Sequence, residues 1–163
     1  MNKISKNIAD RSLAQSVKQH LLSYISESGD ARKAIVAAYL FGSALHPEKF
    51  KKNSDIDLAF LLDRCLYKQD PLINSAPAYM AATKISMILN RQTDVVVLNA
   101  ASIETAYQAV TTGMLIYEAD REARLEYEST LRGLYFDFKP FLEKLRAGTM
   151  SGANAGKTTH ESH

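Results

Sequence analysis

Three aspartates stand where they could do chemistry together. Asp55 and Asp57 open one apolar segment, and Asp94 opens another. In a β-strand, residues i and i+2 point to the same side, so Asp55 and Asp57 would present two carboxylates on one face. Paired carboxylates on a rigid strand make a hard-oxygen site of the kind magnesium takes, with phosphates completing its shell. Upstream, the apolar run Tyr39-Leu-Phe ends on Gly42-Ser43. A glycine there lets a phosphate approach the main chain closely, and Ser43 adds a hydroxyl donor. The plainer reading makes Asp55 and Asp57 a strand start, one capping and one exposed, and Asp94 a turn residue. Charge inside an apolar strand is costly unless it is paired or bound to metal, and Gly42-Ser43 upstream turns the balance toward the metal reading.

Gly42-Ser43, eleven intervening residues and then Asp55-Ile-Asp57 resemble the signature of the DNA polymerase β-like nucleotidyltransferases. The short chain and its flanking apolar segments are most similar to the minimal nucleotidyltransferase (MNT) subfamily. The resemblance implies a small mixed sheet carrying all the carboxylates on one open face. It makes Asp55, Asp57 and Asp94 both catalytic residues and metal ligands, with Asp94 activating the attacking hydroxyl. Gly42 and Ser43 would hold the phosphates of the leaving pyrophosphate. A triphosphate brings further negative charge to three carboxylates, so Mg2+, as two ions, is the expected cofactor, with ATP as co-substrate. The resemblance further implies an antitoxin of a type VII-like toxin–antitoxin pair. Such a protein moves AMP from ATP onto a tyrosine hydroxyl of a HEPN-family ribonuclease toxin, its partner in a hetero-oligomer. Two other readings stay open: a nucleotidyltransferase acting on a small molecule of aminoglycoside type, and an antitoxin that works by binding alone while its nucleotide site idles.

The elements that must position these residues follow from hydrophobic spacing. Leu13, Val17, Leu21 and Ile25 recur every four residues and predict a helix over about 7–28, stopped at Gly29-Asp30. The unbroken apolar run 34–41 reads as a strand buried on both faces. Residues 44–54 connect it to a second strand, 55–62, with a short helix admissible after Ser43. Lys49, Lys51 and Lys52 in that connection are either solvated or phosphate contacts. Residues 63–75 read as a loop, and 76–90 as a helix capped by Ser75 with Pro77 in its first turn. Thr93–Leu98 is rich in β-branched residues and predicts a third strand. A helix from Asn99 or Ser102 to about 112, a short strand 114–118 and a long helix 120–145 complete the series. Tyr127, Leu131, Leu134, Tyr135, Phe138, Leu142 and Leu145 form the long helix's apolar face, read mainly as core, and Pro140 should kink it. The expectation is α/β (α+β): one nucleotidyltransferase domain over 1–147 and a disordered tail over 148–163.

Composition narrows the rest. Twenty basic against eighteen acidic side chains leave a net charge of +2, so direct nucleic-acid binding is not expected. No apolar run approaches a membrane span, and the first residues lack an apolar signal core. The single cysteine, Cys65, excludes an intrachain disulfide; with no histidine beside it, it reads as a small packing residue. A cytoplasmic protein is the expectation. Gly152–Thr158 imitates a phosphate-binding loop but is one residue short and follows no strand. His20, His46, His160 and His163 have no metal-ligand spacing.

Overall fold

A computed structural model describes the backbone over residues 3–46, 51 and 54–154, and side chains over 13–46, 51 and 54–148. Four strands make one mixed sheet: β1 (Ile35–Phe41), β2 (Ile56–Leu62), β3 (Thr93–Val97) and β4 (Met114–Glu118), in the order β3-β2-β1-β4. β1 runs antiparallel to both β2 and β4, whereas β2 and β3 are parallel. The parallel pair needs a crossover, and the helices between β2 and β3 supply it.

Burial separates the two faces of the sheet by simple alternation. Ile56, Leu58, Phe60 and Leu62 of β2 point into a core closed by α1 (Lys3–Glu27) and α4 (Pro71–Leu89). In α1, Val17, Leu21 and Ile25 are buried at the expected four-residue spacing. Ala59 and Leu61, with Tyr39 and Phe41 of β1, point the other way, toward α5 (Ile103–Thr112) and α6 (Arg121–Asn154). β1 is buried along its whole length, as an unbroken apolar run between two helical layers should be.

Several local expectations change. The first helix ends at Glu27, just ahead of Gly29-Asp30 as expected, but a further short helix follows: Ser28 accepts a hydrogen bond from the Ala31 N–H and starts α2 (Gly29–Ala34). The segment expected as a loop after β2 holds α3 (Arg64–Gln69), whose N-terminus Asp63 caps. α4 begins five residues earlier than the Ser75 cap predicted, because Asp70 caps Ile73 and Pro71 takes the first helical position. Ser75 instead lies inside the helix, its hydroxyl donating to the Pro71 carbonyl. Cys65, expected to pack, is exposed on α3. Of the apolar face of α6, Leu131 is buried while Leu134, Phe138 and Leu145 are exposed, so core packing ends near the middle of the helix. α6 is continuous through Pro140 and extends to Asn154. The tail beyond Asn154, like Lys49 and Lys52, lies outside the described residues.

Candidate active site

The three aspartates meet where β1 ends and β2 and β3 begin. Asp57 pairs with Asp94 across the parallel β2–β3 ladder, and in-register partners on neighbouring strands lie about 4.8 Å apart with side chains on the same face. Ile56 and Leu58 are fully buried on the α1–α4 side. Asp57, between them, therefore faces the α5–α6 side, as does Asp94. Asp55, two residues before Asp57, lies just ahead of the strand. Asp55 and Asp57 are half-buried and Asp94 is exposed.

The electrostatics of Asp57 follows from this placement. The Asp57 carboxyl is pushed above its ordinary value first by burial, then by the negative charges of Asp94 and Asp55. Ser43 acts in the opposite direction, donating its backbone N–H to this carboxylate. Like charges this close favour a proton or a cation in the site.

Gly42 is locked into the same arrangement. β1 and β2 pair Phe41 with Asp57, so the residue after Phe41 lies over that aspartate. Gly42 has φ of 73° and opens a 3-10 turn, Gly42–Leu45. A Cβ built on it would stand 2.0 Å from Asp57 Oδ2. The glycine is thus required by the carboxylate it covers, a closer constraint than the expected approach of a phosphate.

One further residue organises the site and was not singled out from sequence. Arg91, between α4 and β3, donates from Nη1 to the carbonyls of Lys51 (3.3 Å) and Ser54 (3.2 Å). Ser54 Oγ in turn accepts from the Lys51 N–H at 2.8 Å, and the Ile56 N–H donates to the Gln92 carbonyl. The segment entering Asp55 is therefore tied to the segment entering Asp94. The one sequence signal was a cation three residues ahead of the third aspartate.

Among the described residues no group of three or more His, Cys, Asp or Glu is set to hold a metal ion on its own. The donor set still suits a hard divalent cation. Its members are carboxylate oxygens on one face, and such a cation completes its shell with phosphate and water oxygens. His20 and His46 join no ligand group. A groove of about 530 Å³ lies at the other end of β2, between α3 and α6, lined by Leu61, Arg64, Tyr67, Asn99 and Tyr127 among others. It holds none of the three aspartates, so the candidate site lies outside this groove.

The chain is similar to solved structures across most of its length. One is a toxin–antitoxin crystallised with AMP-PNP: TM-score 0.61, 20% identity, 82% of this chain and 98% of that chain covered. Another is a tri-AMPylated Shewanella oneidensis HEPN toxin in complex with an MNT antitoxin: TM-score 0.58, 19% identity, 84% and 98% covered. A third is the toxin–antitoxin MntA-HepT, at TM-score 0.57 and 20% identity, covering 83% and 98%. At these identities the likeness is one of fold. No curated protein matches the chain. The family described as polymerase beta, nucleotidyltransferase, matches residues 24–122, a span that holds both strands of the aspartate site, its glycine turn and Arg91. With the sheet, the carboxylate ladder and that match in agreement, the chain belongs to the polymerase beta nucleotidyltransferase family.

Proposed function

We propose that the protein is the antitoxin of a toxin–antitoxin pair and a metal-dependent adenylyltransferase. It transfers AMP from ATP to a tyrosine hydroxyl of a cognate HEPN-family toxin. The observation that carries the chemistry is the pairing of Asp57 with Asp94 beneath Gly42. The partner class rests on the fold shared with the chains of the HEPN–MNT complexes, and the nucleotide on the AMP-PNP complex.

Asp55 and Asp57 would hold Mg2+, with Asp94 contributing to the same cluster. When bound, the cation supplies the positive charge that lets a triphosphate rest against three carboxylates and steadies the attacking and leaving oxygens. Gly42 keeps the space over Asp57 clear of any side chain. The Ser43 N–H is committed to Asp57, which leaves its hydroxyl to meet phosphate. Asp94, the most open of the three, orients the acceptor hydroxyl and takes its proton. The hydroxyl oxygen bonds to the α-phosphorus, the α–β bridging bond breaks, and pyrophosphate departs. Nothing here requires a charged nucleic-acid surface, and no helix among the described residues is long and apolar enough to cross a membrane.

The test is transfer of label from α-labelled ATP, with magnesium, to the candidate toxin. The expected result is label on the toxin, lost in the Asp55→Ala/Asp57→Ala double variant and on chelation, with toxicity relieved only when label transfers. Asp94→Asn should reduce the rate by about 10²–10⁴-fold. Label on an aminoglycoside and none on the toxin would replace the protein acceptor with a small molecule. Full neutralisation by the unlabelling double variant would reduce the protein to a binding antitoxin.

A further inference from the structure

The outward face of α4 is apolar from end to end, and nothing in the described chain covers it. Leu72, Ile73, Tyr79, Met80 and Met87 are 83, 67, 51, 59 and 78% exposed. They flank a midline of two small exposed residues, Ala76 and Thr83, seven positions apart. Residues at these spacings fall on one side of a helix. In its nineteen residues α4 carries a single charge, Lys84, which is paired with Glu27 of α1. At about 200 Å² for a fully exposed side chain of this size, the five large residues present roughly 650 Å². A soluble protein without a partner seldom exposes so much apolar surface in one patch.

Position and pattern select the occupant. Asp57 and Asp94 face the α5–α6 side of the sheet, whereas α4 packs on the other side, so a molecule that reacts at the carboxylates leaves this face open. We propose that it joins two copies of the chain, α4 against α4, packed antiparallel about a twofold axis between Tyr79 and Met80. In that register Ala76 meets Thr83 of the second copy, Leu72 meets Met87 and Tyr79 meets Met80. Each contact occurs twice, as a self-complementary twofold interface requires. The small midline residues let the two helices approach closely, and the large ones close over them on both flanks. The overlap takes in residues 71–88 of both copies, which is α4 itself and nothing beyond it. α1, α2 and α3 lie along one flank of α4, where Tyr24, Ser28 and Leu66 line a groove of about 700 Å³ with Pro77 and Lys84. The stripe through Ala76 and Thr83 turns away from that flank, so none of those helices stands between the two copies and the lysines do not meet. The pair would bury about 1,300 Å², within the range of specific interfaces.

Sedimentation velocity on the full chain, over about 1–100 µM, tests this. A reversible monomer–dimer equilibrium is expected. Met80→Glu buries a charge at the centre of the interface and should weaken the dimer about tenfold or more, with helicity retained by circular dichroism. Ala76→Leu separates close packing from general stickiness. It makes the exposed face more apolar but fills the line of closest approach, so it too should weaken the dimer. A monomer at every concentration overturns the proposal, as does a dimer that Ala76→Leu tightens or Met80→Glu leaves unchanged. If the wild type is monomeric and Met80→Glu instead loses the toxin, the face belongs to a different protein and the second copy is excluded.

Discussion

Gly42 and Asp57 constrain each other, and each can be probed alone. At φ of 73° an L side chain is strained by about 1–2 kcal/mol, and at Gly42 a Cβ would also collide with Asp57 Oδ2. Gly42→Ala must therefore displace the turn or the carboxylate. The expected outcome is loss of nucleotidyl transfer together with a lower melting temperature. A variant that melts lower but transfers normally would separate the turn from the chemistry. Asp57→Asn acts oppositely on stability. Because Asp57 is held above the ordinary carboxylate value by burial and by Asp94 and Asp55, its ionised form is disfavoured in the fold relative to the unfolded chain. The corresponding stabilisation is present below the unfolded value and lost as pH rises through the folded one. At neutral pH the asparagine variant should therefore be inactive yet melt about 2 °C higher. The difference should shrink as pH falls toward 3.8, the ordinary value. Thermal melts at several pH values decide this, and an equal or lower melt at neutral pH would mean that the Ser43 hydrogen bond outweighs the repulsion.

At the scale of elements, the connection before β2 is organised by a residue outside it. Removing the Arg91 guanidinium frees the carbonyls of Lys51 and Ser54 without opening a core, so Arg91→Ala should melt nearly as the wild type does. It should loosen Asp55 and raise the magnesium needed for half-maximal labelling about tenfold, as losing a group that orients a metal ligand does. A magnesium dependence equal to the wild type's would limit Arg91 to a structural tie. The strands that carry the aspartates were legible in the sequence because short apolar and β-branched runs report directly on a sheet between two layers. That they lie side by side was implied by the family resemblance and by no pattern in the residues themselves. α2 and α3 were not legible because six residues make less than two turns, too few to show a period. Their only signals were the caps Ser28 and Asp63. Arg91 escaped for a different reason: its partners are main-chain carbonyls some forty residues upstream, and no residue type marks a carbonyl.

For the molecule as a whole, α6 is the element whose role composition could not divide. Its apolar face is continuous in sequence, but only the first half meets the sheet, because the length of β1 and β4 limits what there is to cover. That first half is fastened by a buried polar knot. Tyr39, 2% exposed, donates from Oη to Glu128 at 2.7 Å, and Glu128 is itself 6% exposed. Arg124 bonds both Glu128 and Glu118 at 2.5 Å, joining α6 to the end of β4, and Arg132 reaches the second Glu128 oxygen at 3.3 Å. Burial and the neighbouring Glu128 carboxylate both hold the Tyr39 hydroxyl protonated far above neutral pH, so the tyrosine is a steady donor here and not a titrating group. Glu128→Ala would leave a buried phenol without an acceptor and Arg124 with one partner fewer, at about 3–5 kcal/mol, or a melting temperature lower by about 10 °C. The knot touches none of the three aspartates, so labelling per folded molecule, measured well below the melt, should stay near the wild-type rate. If labelling falls in step with stability even there, α6 positions the carboxylates through the sheet, and the fold and the site cannot be tuned separately.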